Sequence, residues 1–148
     1  TPKSLNLAGI KSFKELTKKD YDVINSIVVF EFGSQHKKRI DDWFKKNLIK
    51  AKTIAHTRSY EVALSMVEAG LGVAILPALT AVVGSNKYYQ VNLYNTYLDS
   101  RRLVALTPNQ FTNIEPSMSF VSSLAQAGKK LILPTVQTAP QLFNDNRT

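Results

Sequence analysis

Gly33-Ser34-Gln35-His36 and Thr57-Arg58-Ser59 are the two stretches whose residue types could do chemistry. Each stands between an apolar run and an amphipathic one, the pattern of a strand-to-helix junction. The first turn of a helix leaves backbone N–H groups without intrahelical acceptors, at the positive end of the helix dipole. With the Ser34 hydroxyl beside it, such a turn can hold a small anion or a carboxylate. Ser34 serves equally well as an ordinary cap of its own helix, because a cap and a ligand site use the same atoms. At the second junction Ser59 or Thr57 can cap, and the Arg58 guanidinium can fork onto a carboxylate. Arg58 can equally be a solvated surface arginine. Helices that follow the carboxyl ends of strands in one sheet begin on the same edge, so the two junctions are expected as neighbours.

Other chemistry finds little support. His36 and His56 are the two histidines and cysteine is absent, which removes disulfides, zinc–cysteine sites, iron–sulfur clusters and thiol nucleophiles. No His-x-x-x-His or Glu-x-x-His spacing suggests a metal, so no metal or cofactor is expected. A Ser34–His36–Asp41 set can be assembled on paper, but Ser34 and His36 are two apart and no Gly-x-Ser-x-Gly elbow exists. No catalytic residue is assigned. The basic clusters Lys37-Lys38-Arg39, Lys45-Lys46 and Lys129-Lys130 could meet phosphates. In the first two, alternation with Asp41 and Asp42 is the pattern of an ordinary solvated helix face.

The elements that must position these residues follow from periodicity. Phe13–Leu16 suggests one helical turn, followed by a Lys-rich turn at Thr17–Asp20. Ser26 to Phe32 is β-branched and aromatic throughout, as in a strand covered on both faces. Ile40, Trp43, Phe44 and Leu48 recur on one helical face. Thr53–His56 suggests a short strand, and Val62, Ala63, Met66 and Val67 stripe a helix from about Ser59 to Ala69. Gly70 stops that helix in the C′ position. Leu71–Pro77 is expected as a second buried strand, Ala78–Val83 as a short helix, and Tyr88–Leu93 and Arg102–Leu106 as further strands. Pro116 suits a first helical position, with Phe120, Val121 and Leu124 lining a helix that ends at Gly128. Beyond Lys130 a fraying tail is expected. Strands alternating with helices imply an α/β sheet with parallel pairs.

Composition sets the outer bounds. The chain has 148 residues, 44% hydrophobic, with 19 Lys+Arg against 11 Asp+Glu and a net charge of +8. That length suits one domain or slightly more, with a core of its own. No run of about 18 apolar residues suggests a membrane span. The positive balance favours anionic partners without naming one. The opening Thr1-Pro2-Lys3-Ser4-Leu5 has no Met and no signal-peptide pattern, so it reads as a start within a longer chain. Lack of cysteine suits cytoplasm or periplasm equally.

Thr57 to Pro77, with its Val67-Glu68-Ala69-Gly70-Leu71-Gly72 turn and its Leu76-Pro77 end, resembles the signature stretch of LysR-type transcriptional regulators. Flanking pieces resemble the family in order and spacing: Ile10–Leu16, then Phe30–Phe44 with its Gly-Ser turn and Trp-Phe pair, then Glu115–Val121. The resemblance covers Ile10 to Lys130. It implies an α/β effector-binding domain, a type 2 periplasmic-binding-protein-like lobe with a mixed sheet flanked by helices: the second lobe plus the closing part of the first. Residues 1–106 would be the second lobe, 107–130 the returning segment of the first lobe, and 131–148 a C-terminal tail. The winged helix-turn-helix and the opening half of the first lobe have no counterpart in this sequence, so DNA binding is expected only through a domain outside it. The resemblance further implies ligand contacts from Phe32, Gly33, Ser34, Gln35, Thr57 and Arg58. Its implied partners are a small-molecule effector, a carboxylate or other anion, and a second copy in a homo-oligomer. A cytoplasmic location and no membrane association go with it. A solute-binding protein of a transporter shares that fold and stays open, as does a direct nucleic-acid binder; an enzyme is the weakest case.

Overall fold

Ile27 through Phe30 are all buried, as a strand covered on both faces must be. They belong to β1 (Ser26–Phe30), one of two strands in a parallel pair. The computed structural model describes residues 1–31, 33–81, 89–100 and 104–143, apart from the side chains of 34 and 35. Within it the chain is a mixed α/β structure around a small parallel sheet. Thr17 caps α1 (Lys18–Ile24), its Oγ1 accepting from Asp20 N at 3.2 Å. The expected Lys-rich turn is therefore the first turn of a helix, and the signal was the Thr-x-x-Asp spacing. α2 (Ser34–Asn47) follows β1 and buries Ile40 and Phe44, with Leu48 just past its end.

β2 (Lys52–Thr57) pairs with β1 from Ser26↔Lys52 to Phe30↔Thr57, and the register shifts between Ile27 and Val28. The shift leaves Ile54 as the extra, half-exposed residue of a bulge. α3 (Tyr60–Glu68) buries Ala63, Leu64 and Val67. Val62, expected on that buried stripe, is 45% exposed, and Leu64 takes its place. Past Ala69 the chain turns at Gly70, whose φ is +82. Leu71 N donates to Met66 O at 3.2 Å and Gly70 N to Val67 O at 2.9 Å, which satisfies the last carbonyls of the helix.

The strand expected over Leu71–Pro77 is reduced to one parallel bridge, Ile27↔Val73, on the other side of β1. Val28 N donates to Val73 O at 2.9 Å and Val73 N to Ser26 O at 2.8 Å. An apolar run signals burial, but a ladder also needs partner groups in register, and beyond Val73 none pair among the described residues. Ala78–Ala81 is a single 3-10 turn. Residues 89–93 form one antiparallel bridge, Pro2↔Val91, instead of a strand. Of the strand expected at Arg102–Leu106, residues 104–106 are not in one and 101–103 lie outside the described residues.

Two bodies make up the chain. The first runs from Thr1 to Tyr97 and resumes at Pro134. Leu5, Leu7, Ile24, Val29, Ile40, Phe44 and Val73 share its core with Leu142, which is fully buried. Within the expected fraying tail, Gln141–Phe143 is instead a 3-10 turn seated against Trp43, whose ring meets Phe143 edge-on at 5.2 Å, while 144–148 lie outside the described residues. Asn92 is buried and donates from Nδ2 to the carbonyls of Pro2, Lys3 and Leu5. The second body, Leu98–Leu133, contains α4 (Ser117–Lys129), which buries no residue. Phe120, Val121 and Leu124 line one face of it, as expected, along a groove of about 420 Å³ with Leu106, Pro108 and Phe111.

Candidate functional site

Parallel pairing carries β1 and β2 to their carboxyl ends together. After Phe30↔Thr57 the ladder makes one more bond, Glu31 N donating to Thr57 O at 2.9 Å. The β1–α2 and β2–α3 junctions therefore leave the same sheet edge side by side, where α2 and α3 both begin. Beneath them the Phe30 ring stacks on Tyr60 at 3.8 Å and meets His36 edge-on at 6.2 Å.

At the first junction Gly33 is the exposed cap residue of α2, with φ +70, a conformation that favours glycine. Its carbonyl accepts from Lys37 N at 3.2 Å, and among the described residues no side-chain hydrogen bond caps this helix. Ser34 is the first helical residue and not the cap, so the amides of the opening turn point outward from the helix end. Phe32 and the side chains of Ser34 and Gln35 lie outside the described residues.

At the second junction Ser59 is the cap, its Oγ accepting from Val62 N at 3.3 Å and donating to Glu61 Oε2 at 2.6 Å. That bond holds the Glu61 carboxyl below its ordinary range. Thr57 Oγ1 accepts from Ser59 N at 3.1 Å, so both hydroxyls here are committed to local turns. Arg58 is exposed and makes no hydrogen bond or ion pair among the described residues. The groups at this edge with ligand-binding chemistry are thus the opening turn of α2 and the exposed Arg58 guanidinium.

Sequence reasoning missed Glu31, Lys37 and His56 as members of this edge. Glu31 Oε1 accepts from Lys37 Nζ at 3.1 Å and from His56 Nδ1 at 2.9 Å. The Lys37 hydrogen bond and charge, with His56 adding to them against desolvation, hold the Glu31 carboxyl below its usual range. A lone acid between an apolar strand and a glycine turn was the available signal; its partners are 6 and 25 positions away. Among the described residues no group of three His, Cys, Asp or Glu could hold a metal. Nor is any described helix long and apolar enough to cross a membrane.

Backbone amides at a helix start and a guanidinium are groups whose chemistry suits a small anion. Residues 25–128 match the family model of the LysR substrate binding domain, a span that takes in both junctions, α3 and nearly all of α4. No curated protein and no solved structure matches the chain.

Proposed function

The chain belongs to the LysR substrate-binding-domain family, and on that premise we propose that it is the effector-sensing part of a LysR-type DNA-binding transcription regulator. The family is a regulatory one, and its domains sense small-molecule effectors. Residues 1–106 then form the second lobe of a type 2 periplasmic-binding-protein-like domain, with 107–130 as the returning segment of the first. The effector is a small carboxylate or other anion bound in the cleft between lobes. Phe32, Gly33, Ser34, Gln35, Thr57 and Arg58 form this lobe's share of the site. Ligand shifts a pre-existing equilibrium in lobe closure, and only by its differential affinity for the two states. The shift changes the geometry of a homodimer and reaches DNA through a domain outside these residues. A cytoplasmic location follows from that role.

One observation carries the reading: the pairing that ends at Phe30↔Thr57 and Glu31 N–Thr57 O sets the α2 and α3 starts beside each other, with Arg58 exposed between β2 and α3. A helix N-terminus and a guanidinium favour a carboxylate. Amide shifts of the labelled chain, titrated with acetate, oxalate and inorganic phosphate, test it. Shifts confined to residues 33–36 and 57–59 are expected. Arg58→Ala should weaken that response about tenfold, as loss of a charge-assisted hydrogen bond does, and Ser34→Ala should weaken it too. Titrations in both variants that match the parent chain would sink the assignment.

A further inference from the structure

Glu31 stands where the two junctions meet. It directly follows β1, and its Oε1 takes hydrogen bonds from Lys37 in the opening turns of α2, at 3.1 Å, and from His56 on β2, at 2.9 Å. Lys37 lies four residues beyond Gly33, and His56 two before Arg58. One carboxylate oxygen thus ties the first junction to the second. Because both donors converge on that oxygen, removing the carboxylate charge leaves an ammonium and an imidazole with no anion between them. Charged neighbours along the chain are Lys38 and Arg39 after Lys37, Arg58 directly after β2 and, in the first turn of α3, Glu61, whose carboxylate accepts from Ser59. All three side chains are partly exposed, with side-chain exposures of 38% for Glu31, 47% for Lys37 and 55% for His56, so protons exchange freely with solvent.

We propose that Glu31 is a positioning residue: by holding Lys37 and His56 on one oxygen it links the Gly33 and Arg58 junctions and passes the charge state of His56 from one to the other. The functional weight of this link rests on the effector reading above, but the link itself does not, and it can be read without any ligand.

The experiment is a pH titration of backbone amides in the labelled chain across about pH 5 to 8, where histidine changes charge. His36 lies three residues from Gly33, so each profile is compared with that of His56→Gln, which keeps His36. The expected result is that Gly33 and Arg58 both carry a component that His56→Gln removes. In Glu31→Gln the Gly33 component is lost while Arg58, two residues from His56, keeps its own. Lys37→Gln, which cuts the same link from the α2 side, should reproduce that loss, and Glu31→Asp should restore part of the Gly33 response. A Gly33 profile unchanged by Glu31→Gln, or identical in the parent chain and His56→Gln, overturns the proposal. An anion that fails to shift residues 33–36 would count against the effector reading and leave this result standing.

Discussion

Lys37 and His56 act on Glu31 in the same direction, and the consequence for stability has a definite sign. The folded carboxyl titrates below its ordinary range, with the Lys37 hydrogen bond as the largest cause. A group depressed on folding contributes stability above its unfolded pKa and loses it as pH falls through the folded one. Urea midpoints of the parent chain and Glu31→Gln should therefore differ slightly at neutral pH and converge as pH drops below about 4. Exposure of all three partners means the difference also shrinks as salt is added. A gap that stays constant across pH would show that the carboxylate charge is not its source. Arg58 is the contrasting residue at the same edge: it makes no bond among the described residues, so its removal should cost ligand and not fold.

Elements are held by a few backbone contacts that tolerate little change. Gly72 is the clearest: a Cβ there would run into the carbonyl of Ser26, one strand away, and backbone on both sides cannot move aside. That close approach lets Val73 bond to β1 from its far side. Gly72→Ala should lower stability by about 1–3 kcal/mol, in the range of overpacked cores. Gly70 meets nothing within 4 Å, and its requirement is conformational, φ +82 at the end of α3. Gly70→Ala should cost about 1 kcal/mol, the penalty of a left-handed conformation. Thermal or urea unfolding of both variants checks this ordering; a Gly72→Ala protein as stable as the parent would rule out so close a contact.

Across the whole chain, the first body closes on itself through sequence-distant contacts. Leu142 is buried against a core that begins at Leu5, and Asn92 binds three carbonyls of the opening segment. Leu142→Ala should destabilise this body by about 2–5 kcal/mol, the usual cost of emptying a buried leucine site. An unchanged urea midpoint would mean that the stretch resuming at Pro134 is not part of the cooperative unit. The second body differs in kind: α4 presents apolar residues and buries none of them. A helix of 13 residues gains most of its stability from tertiary packing, so α4 contributes little to its own body's core.

Local chemistry by itself determined both strand-to-helix junctions, the apolar face of α2 and the stop of α3 at Gly70, and it narrowed the cap of α3 to Ser59 or Thr57. Caps, glycine turns and helical periodicity act over a few residues, so they can be read along the chain. Whether an apolar run becomes a strand could not be read that way, because pairing depends on a partner's register: Leu71–Pro77 gave a single bridge and residues 89–93 another. The burial of Leu142 and the bond from Trp43 Nε1 to Thr96 O depend on segments far apart in sequence. The same holds at the candidate site. The sequence pointed to Gly33 and Arg58, but only the parallel register of β1 on β2 brought Glu31 between Lys37 and His56, because a charge finds its partner through space and not through spacing.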